Sequence, residues 1–243
     1  MTAGSADGRS VAGPCLLSCV PACRAEARRN PRMKRSGDEV FSSLRIAAEV
    51  ALQPLDSCDN VTEYRISVCP QDEEGESPET VGHFDVWLFS IGDEEGSIFE
   101  MFDAHHEESS RLYHHLFDRE TDRWKKELDA GLPAGPDLIY FQWAEFPPAL
   151  HRSRMVLAAA ERIIQVLGKG CRFAALWPWD KPHPDLEDFT AGELLAYWDC
   201  QKENEEYWKR ISFRRLTGTP ILIRDLARQS PSIEDIIAGS ADA

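Results

Sequence analysis

After residue 40 the chain takes on a two-residue rhythm of apolar and polar positions. Leu44 to Leu52 alternates loosely and Glu63 to Cys69 (EYRISVC) more clearly, which predicts two strands. The charged stretch 70–80, PQDEEGESPET, reads as a loop. Val81 to Ile91 predicts a third strand, with Phe84, Val86 and Leu88 on one face, and Asp93 to Gly96 a turn. From Phe99 to Phe117 the period becomes helical, through Leu112, His115 and Leu116. Residues 119–136 are polar and finish in Gly131, Pro133, Gly135 and Pro136, so they read as a helix end followed by a loop.

The clearest unit comes next. Asp137 to Phe146 (DLIYFQWAEF) predicts a buried strand that Pro147 and Pro148 stop. Arg152 to Leu167 predicts a helix whose apolar face is Val156, Ala159, Ala160, Ile163, Ile164 and Leu167, with Gly168 and Gly170 suited to its exit. Cys171 to Trp177 predicts a second strand. Two apolar strands joined by one helix make a right-handed βαβ unit, so these strands should be parallel. A Pro-rich loop (178–192), a helix from Glu193 to Ile211, and strands at 213–216 and 219–226 around Thr217-Gly218 complete the pattern.

Composition narrows the function classes. The chain has 243 residues and a formal net charge of −15, which argues against a nucleic-acid or anionic-membrane surface. The charge is uneven. Residues 1–35 hold seven Lys/Arg and two Asp/Glu, so the remainder carries a net −20. This first segment, rich in Ala, Gly, Ser, Pro and Arg, reads as a disordered or misassigned tail. Residues 36–230 read as one domain and 231–243 as a C-terminal tail. Seven cysteines without a repeating framework suggest reduced thiols in a cytoplasmic protein, and no run of 18 apolar residues exists. Cys15, Cys19 and Cys23 fall four apart, but Pro14 and Pro21 argue against a helix that would align them.

The chemistry should lie at the carboxyl end of the first βαβ strand. There a helix N-terminus offers free N–H groups and a positive dipole end, and here Arg152 and Arg154 add charge. Such a point suits a pyrophosphate.

The order strand, proline, Arg-rich turn, helix, strand, helix and final hairpin resembles that of the GNAT acyltransferases, over roughly residues 44–226 and best over 137–215. In that family an Arg/Gln-x-x-Gly-x-Gly/Ala turn holds the acetyl-CoA pyrophosphate on its backbone amides. The matching residues are Arg152, Ser153, Arg154, Met155, Val156 and Leu157, with the glycine positions taken by Met155 and Leu157. The family's Tyr-x-x-x-Gly-Phe ending corresponds to Trp208-Lys-Arg-Ile-Ser212-Phe213, with Tyr207 one place off. The resemblance implies a mostly antiparallel mixed α/β (α+β) sheet with a central parallel βαβ pair, flanked by helices. It also implies acetyl-CoA as co-substrate and a small-molecule or protein amine as acceptor; the oligomeric state stays open. Glu145 is the candidate base and Tyr207 the candidate proton donor to the leaving thiolate. The strands 137–146 and 171–177 should then part at their carboxyl ends beside Arg152. The alternative is a non-catalytic GNAT-like domain that binds a ligand or partner, its acetyl-CoA site having decayed.

His105, His106, His114 and His115 lie within eleven residues, but adjacent histidines point apart and no metalloprotease pattern appears, so a polar helix face is expected and no metal site. Trp177-Pro178-Trp179 ends the second βαβ strand, either lining a cleft or covering the sheet edge.

Overall fold

The computed structural model describes residues 44–50, 60–70, 80–91, 97–128, 137–178 and 190–239. The expectations about residues 1–35, Cys15, Cys19, Cys23 and Trp179 lie outside them. The alternating segments form β1 (Leu44–Val50), β2 (Val61–Pro70) and β3 (Gly82–Phe89), an antiparallel meander. β6 (Asp137–Glu145) pairs antiparallel with β3, and β7 (Cys171–Leu176) pairs parallel with β6. β9 (Leu222–Asp225) and β8 (Arg214–Arg215) close the seven-stranded sheet, in the order β1-β2-β3-β6-β7-β9-β8. Among the described residues the sheet is therefore mixed and mostly antiparallel, with one parallel pair near its centre.

The segment 99–117 differs from the single expected helix. It forms α1 (Ile98–His105) and α2 (Glu107–Leu116), broken at His106. The break has a local cause. His106 is extended, its Nδ1 accepts from the Glu108 N–H at 3.1 Å, and the Ser109 hydroxyl accepts from the His106 N–H at 2.9 Å. This reciprocal cap starts a new helix where the old one stops. Residues 117–124 then form a two-stranded ribbon of β4 (Phe117–Asp118) and β5 (Arg123–Trp124), where a helix end was expected.

Strand alternation sends side chains to two cores. On one face Phe84, Val86, Ile139, Phe141, Ala174 and Leu176 meet α3 (Arg154–Leu167) and the end of α4 (Ala191–Lys209). On the other Trp87, Phe89, Leu138, Tyr140 and Phe173 meet α1, α2 and β4. Residues 231–243, read as a tail, contain α5 (Ile233–Ala238), which buries Ile236 against the α3 core.

One irregularity sets the direction of a candidate side chain. The β3–β6 register runs Val86↔Phe141 and then Asp85↔Trp143, which leaves Gln142 as a bulge. The extra residue turns Trp143 and Glu145 to the face of α1 and α2. Simple alternation would have put Glu145 with Ile139 and Phe141. β3 comes close here at Gly82, where a Cβ would lie 2.5 Å from Glu145 O and would collide with the Phe146 ring. Gly82→Ala should cost about 1–3 kcal/mol by overpacking, visible as a lower urea midpoint.

Candidate functional site

The parallel pairing of β6 and β7 ends at Phe141↔Leu176, while β6 runs on to Glu145. Residues 142–145 thus have no strand partner on that edge among the described residues. α4 crosses the end of β7, and Asn204 Nδ2 donates to Pro178 O at 2.9 Å. The connection to α3 passes Pro147 and Pro148 and reaches Arg152, whose φ of 62° is left-handed. Few non-glycine residues adopt that conformation, and those that do cluster at functional sites.

Ser153 is the N-cap of α3, and its hydroxyl accepts from Val156 N–H at 3.4 Å. The Tyr207 hydroxyl, on α4, donates to Ser153 O at 2.8 Å. Burial drives the phenol well above its ordinary pKa, against an opposing pull from Arg210 and Arg152. Arg152 extends toward α4, where Nη1 meets Glu203 Oε2 at 2.5 Å and Nη2 meets Cys200 Sγ at 3.2 Å. Arg152, Ser153 and Tyr207 therefore meet at one corner.

The other predicted residues separate from that corner. Arg154 turns to α5, donating to Ile237 O at 3.2 Å with its guanidinium over Gly239. It serves the negative end of that short helix and is not turned toward a ligand at the α3 start. Met155, Val156 and Leu157 point into the core. Met155 and Leu157 are thus buried inward, so their bulk falls on the core side of the turn. Glu145 is exposed on the opposite face of the sheet, 3.7 Å from His83 Nε2, which is itself 3.9 Å from Asp85. Arg65 holds Asp85 through two bonds of 2.8 and 3.0 Å, and the carboxylate in turn raises the Arg65 pKa.

A cavity of about 520 Å³ opens beside the corner. Arg152, Lys202 and Arg210 bring three positive charges to its wall, and Asp199, Glu203 and Glu206 three negative ones; Tyr207 also lines it. The α4 residues recur at helical spacing, which a sequence reader would take for a solvated face. Their meeting with Arg152 across 51 positions is invisible in the sequence.

The histidines serve local structure. His105 packs edge-on to Trp87 and its pKa is lowered by burial, then by the neighbouring His106. His114 lies against Phe99 and Tyr113, and His115 against Trp177. Among the described residues Cys69, Cys171 and Cys200 form no disulfide, and burial pushes Cys171 up to about 12. No described helix is long and apolar enough to cross a membrane. The chain matches no protein-family model, no curated protein and no solved structure.

Proposed function

We propose that the protein is a GNAT-like, acyl-CoA-dependent N-acyltransferase. The observation that carries this reading is the corner where the Tyr207 hydroxyl reaches Ser153 O, beside the Arg152 guanidinium. In this reading the donor's phosphates lie against Arg152 and the start of α3, and its thioester points toward the end of the β6–β7 pairing at Phe141 and Leu176. The acceptor amine approaches from the Glu145 face. Glu145 takes the amine proton, directly or through water. The amine nitrogen bonds the thioester carbon, the C–S bond breaks, and Tyr207 protonates the thiolate.

A second reading, a non-catalytic binding domain of the same architecture, is favoured by one specific feature. The Tyr207 proton is already directed to a backbone carbonyl, and burial makes the phenol a weaker acid. That is poor tuning for a proton donor.

Calorimetric titration with acetyl-CoA separates the two. The enzyme reading expects a micromolar Kd, about −8 kcal/mol, that weakens at least tenfold in Arg152→Ala. Arg154→Ala should leave the affinity within about threefold and lower only the melting temperature, because Arg154 is engaged by α5. Absence of binding at millimolar acetyl-CoA would sink the acyltransferase reading.

A further inference from the structure

We infer that Glu203 is a built-in counter-ion of the α3–α4 cavity, which a phosphate- or pyrophosphate-bearing ligand must displace from Arg152. The inference rests on the proposed function only for the identity of the ligand, since any small phosphorylated molecule presents the same chemistry.

The left-handed backbone at Arg152 sends its guanidinium across to α4, where it meets Glu203 Oε2 at 2.5 Å within the cavity wall. Planar guanidinium is suited to bidentate bonding with phosphate oxygens, so the group that Glu203 occupies is the one a phosphate would choose. The pair is easily exchanged. The Glu203 side chain is 67% exposed and that of Arg152 33%. Exposed pairs of this kind hold weakly and are screened by salt. The carboxylate can swing into solvent at little cost, whereas a phosphate on Arg152 would have Lys202 and Arg210 in the same wall.

Charge counting fixes the sign of the effect. Three cations and three carboxylates line the cavity, a balance of zero. Neutralising Glu203 leaves a surplus of one positive charge; removing Arg152 leaves a deficit of one. Pyrophosphate has enough acceptor oxygens to engage more than one of Arg152, Lys202 and Arg210, whereas acetate can engage one of them. The cavity should therefore prefer pyrophosphate over acetate.

The test is calorimetric titration of the full chain with inorganic pyrophosphate and, separately, with acetyl-CoA, using wild type, Glu203→Gln, Arg152→Ala and the double variant. The expected result is pyrophosphate binding that tightens about fivefold in Glu203→Gln, weakens at least tenfold in Arg152→Ala, and stays equally weak in the double variant. An unchanged or weaker affinity in Glu203→Gln, or no pyrophosphate binding by that variant at millimolar concentration, overturns the inference. Both positions are on the surface, and unchanged melting temperatures certify that each variant is folded. If pyrophosphate follows the expected order while acetyl-CoA binds none of the proteins, the counter-ion stands and the acyl-CoA reading fails.

Discussion

Glu161→Ala should lower stability by about 3–5 kcal/mol, because it strands a buried charge. Glu161 in α3 and Arg224 in β9 are almost fully buried, with 1% and 2% of their side chains exposed. The guanidinium donates to Oε2 at 2.5 Å and to Oε1 at 3.2 Å, and also bonds the Ser230 hydroxyl. Their attraction offsets a desolvation cost that neither group could bear alone. At about 2–4 °C per kcal/mol for a domain of this size, the melting temperature should fall by about 6–20 °C. The informative companion is Glu161→Leu/Arg224→Met. Removing both charges and keeping the volume should restore most of the loss, since a well-packed apolar pair can match a buried ion pair. A double variant as unstable as the single one would mean that the pair contributes more than mutual neutralisation. The loss should reach the candidate site, because α3 presents Ser153 from its other end.

The second large effect should come from Asp122→Ala, at about 3 kcal/mol, from a lost helix cap and lost bonds to a carboxylate. Ser97, the N-cap residue of α1, makes no capping bond with its own side chain. Asp122, 25 positions away, supplies the cap instead. Its Oδ2 accepts from Ile98 N–H at 2.7 Å and the Ser97 hydroxyl at 3.0 Å; its Oδ1 accepts from Phe99 N–H at 3.2 Å and the Tyr113 hydroxyl at 2.8 Å. Asp122 also sits at φ 53°, a left-handed position that Asp tolerates better than Ala. One carboxylate thus ties α1, α2 and the β4–β5 turn together. Its loss should raise amide exchange at Ile98 to Met101 well above the change in the α3 core. Tyr113→Phe removes one of the four bonds and should cost about 1 kcal/mol. Uniform acceleration of exchange across both cores would show that α1 and α2 do not open as a separate unit.

Periodicity marked several of the sheet's strands and the βαβ unit. Period-two alternation marked β2 and β3, and the apolar runs DLIYFQWAEF and RFAALW with a helix between them marked the parallel pair, because both faces of those strands are buried. The helix expected from Arg152 starts at Arg154 instead, because Arg152 is left-handed and Ser153 caps the first turn. Local chemistry that a periodic pattern overrides was harder to read. The His106–Ser109 cap splits what looks like one helix, and the apolar residues Phe102 and Leu112 keep helical spacing on both sides of the break.

Tertiary structure alone decided the direction of each candidate. Glu145 changes face because β6 gains one residue against β3, and a bulge has no periodic signature when its neighbours are all apolar or aromatic. Arg154 and Arg152 are two positions apart and look equivalent in the chain. The first is drawn to the carbonyls of α5 and the second to Glu203, because those partners lie 83 and 51 residues away. The chain's own residues determined where a helix begins and which strands are apolar, since those depend on neighbours within one or two turns. Which charges meet, and on which side of the sheet, depends on long-range packing that no local pattern encodes.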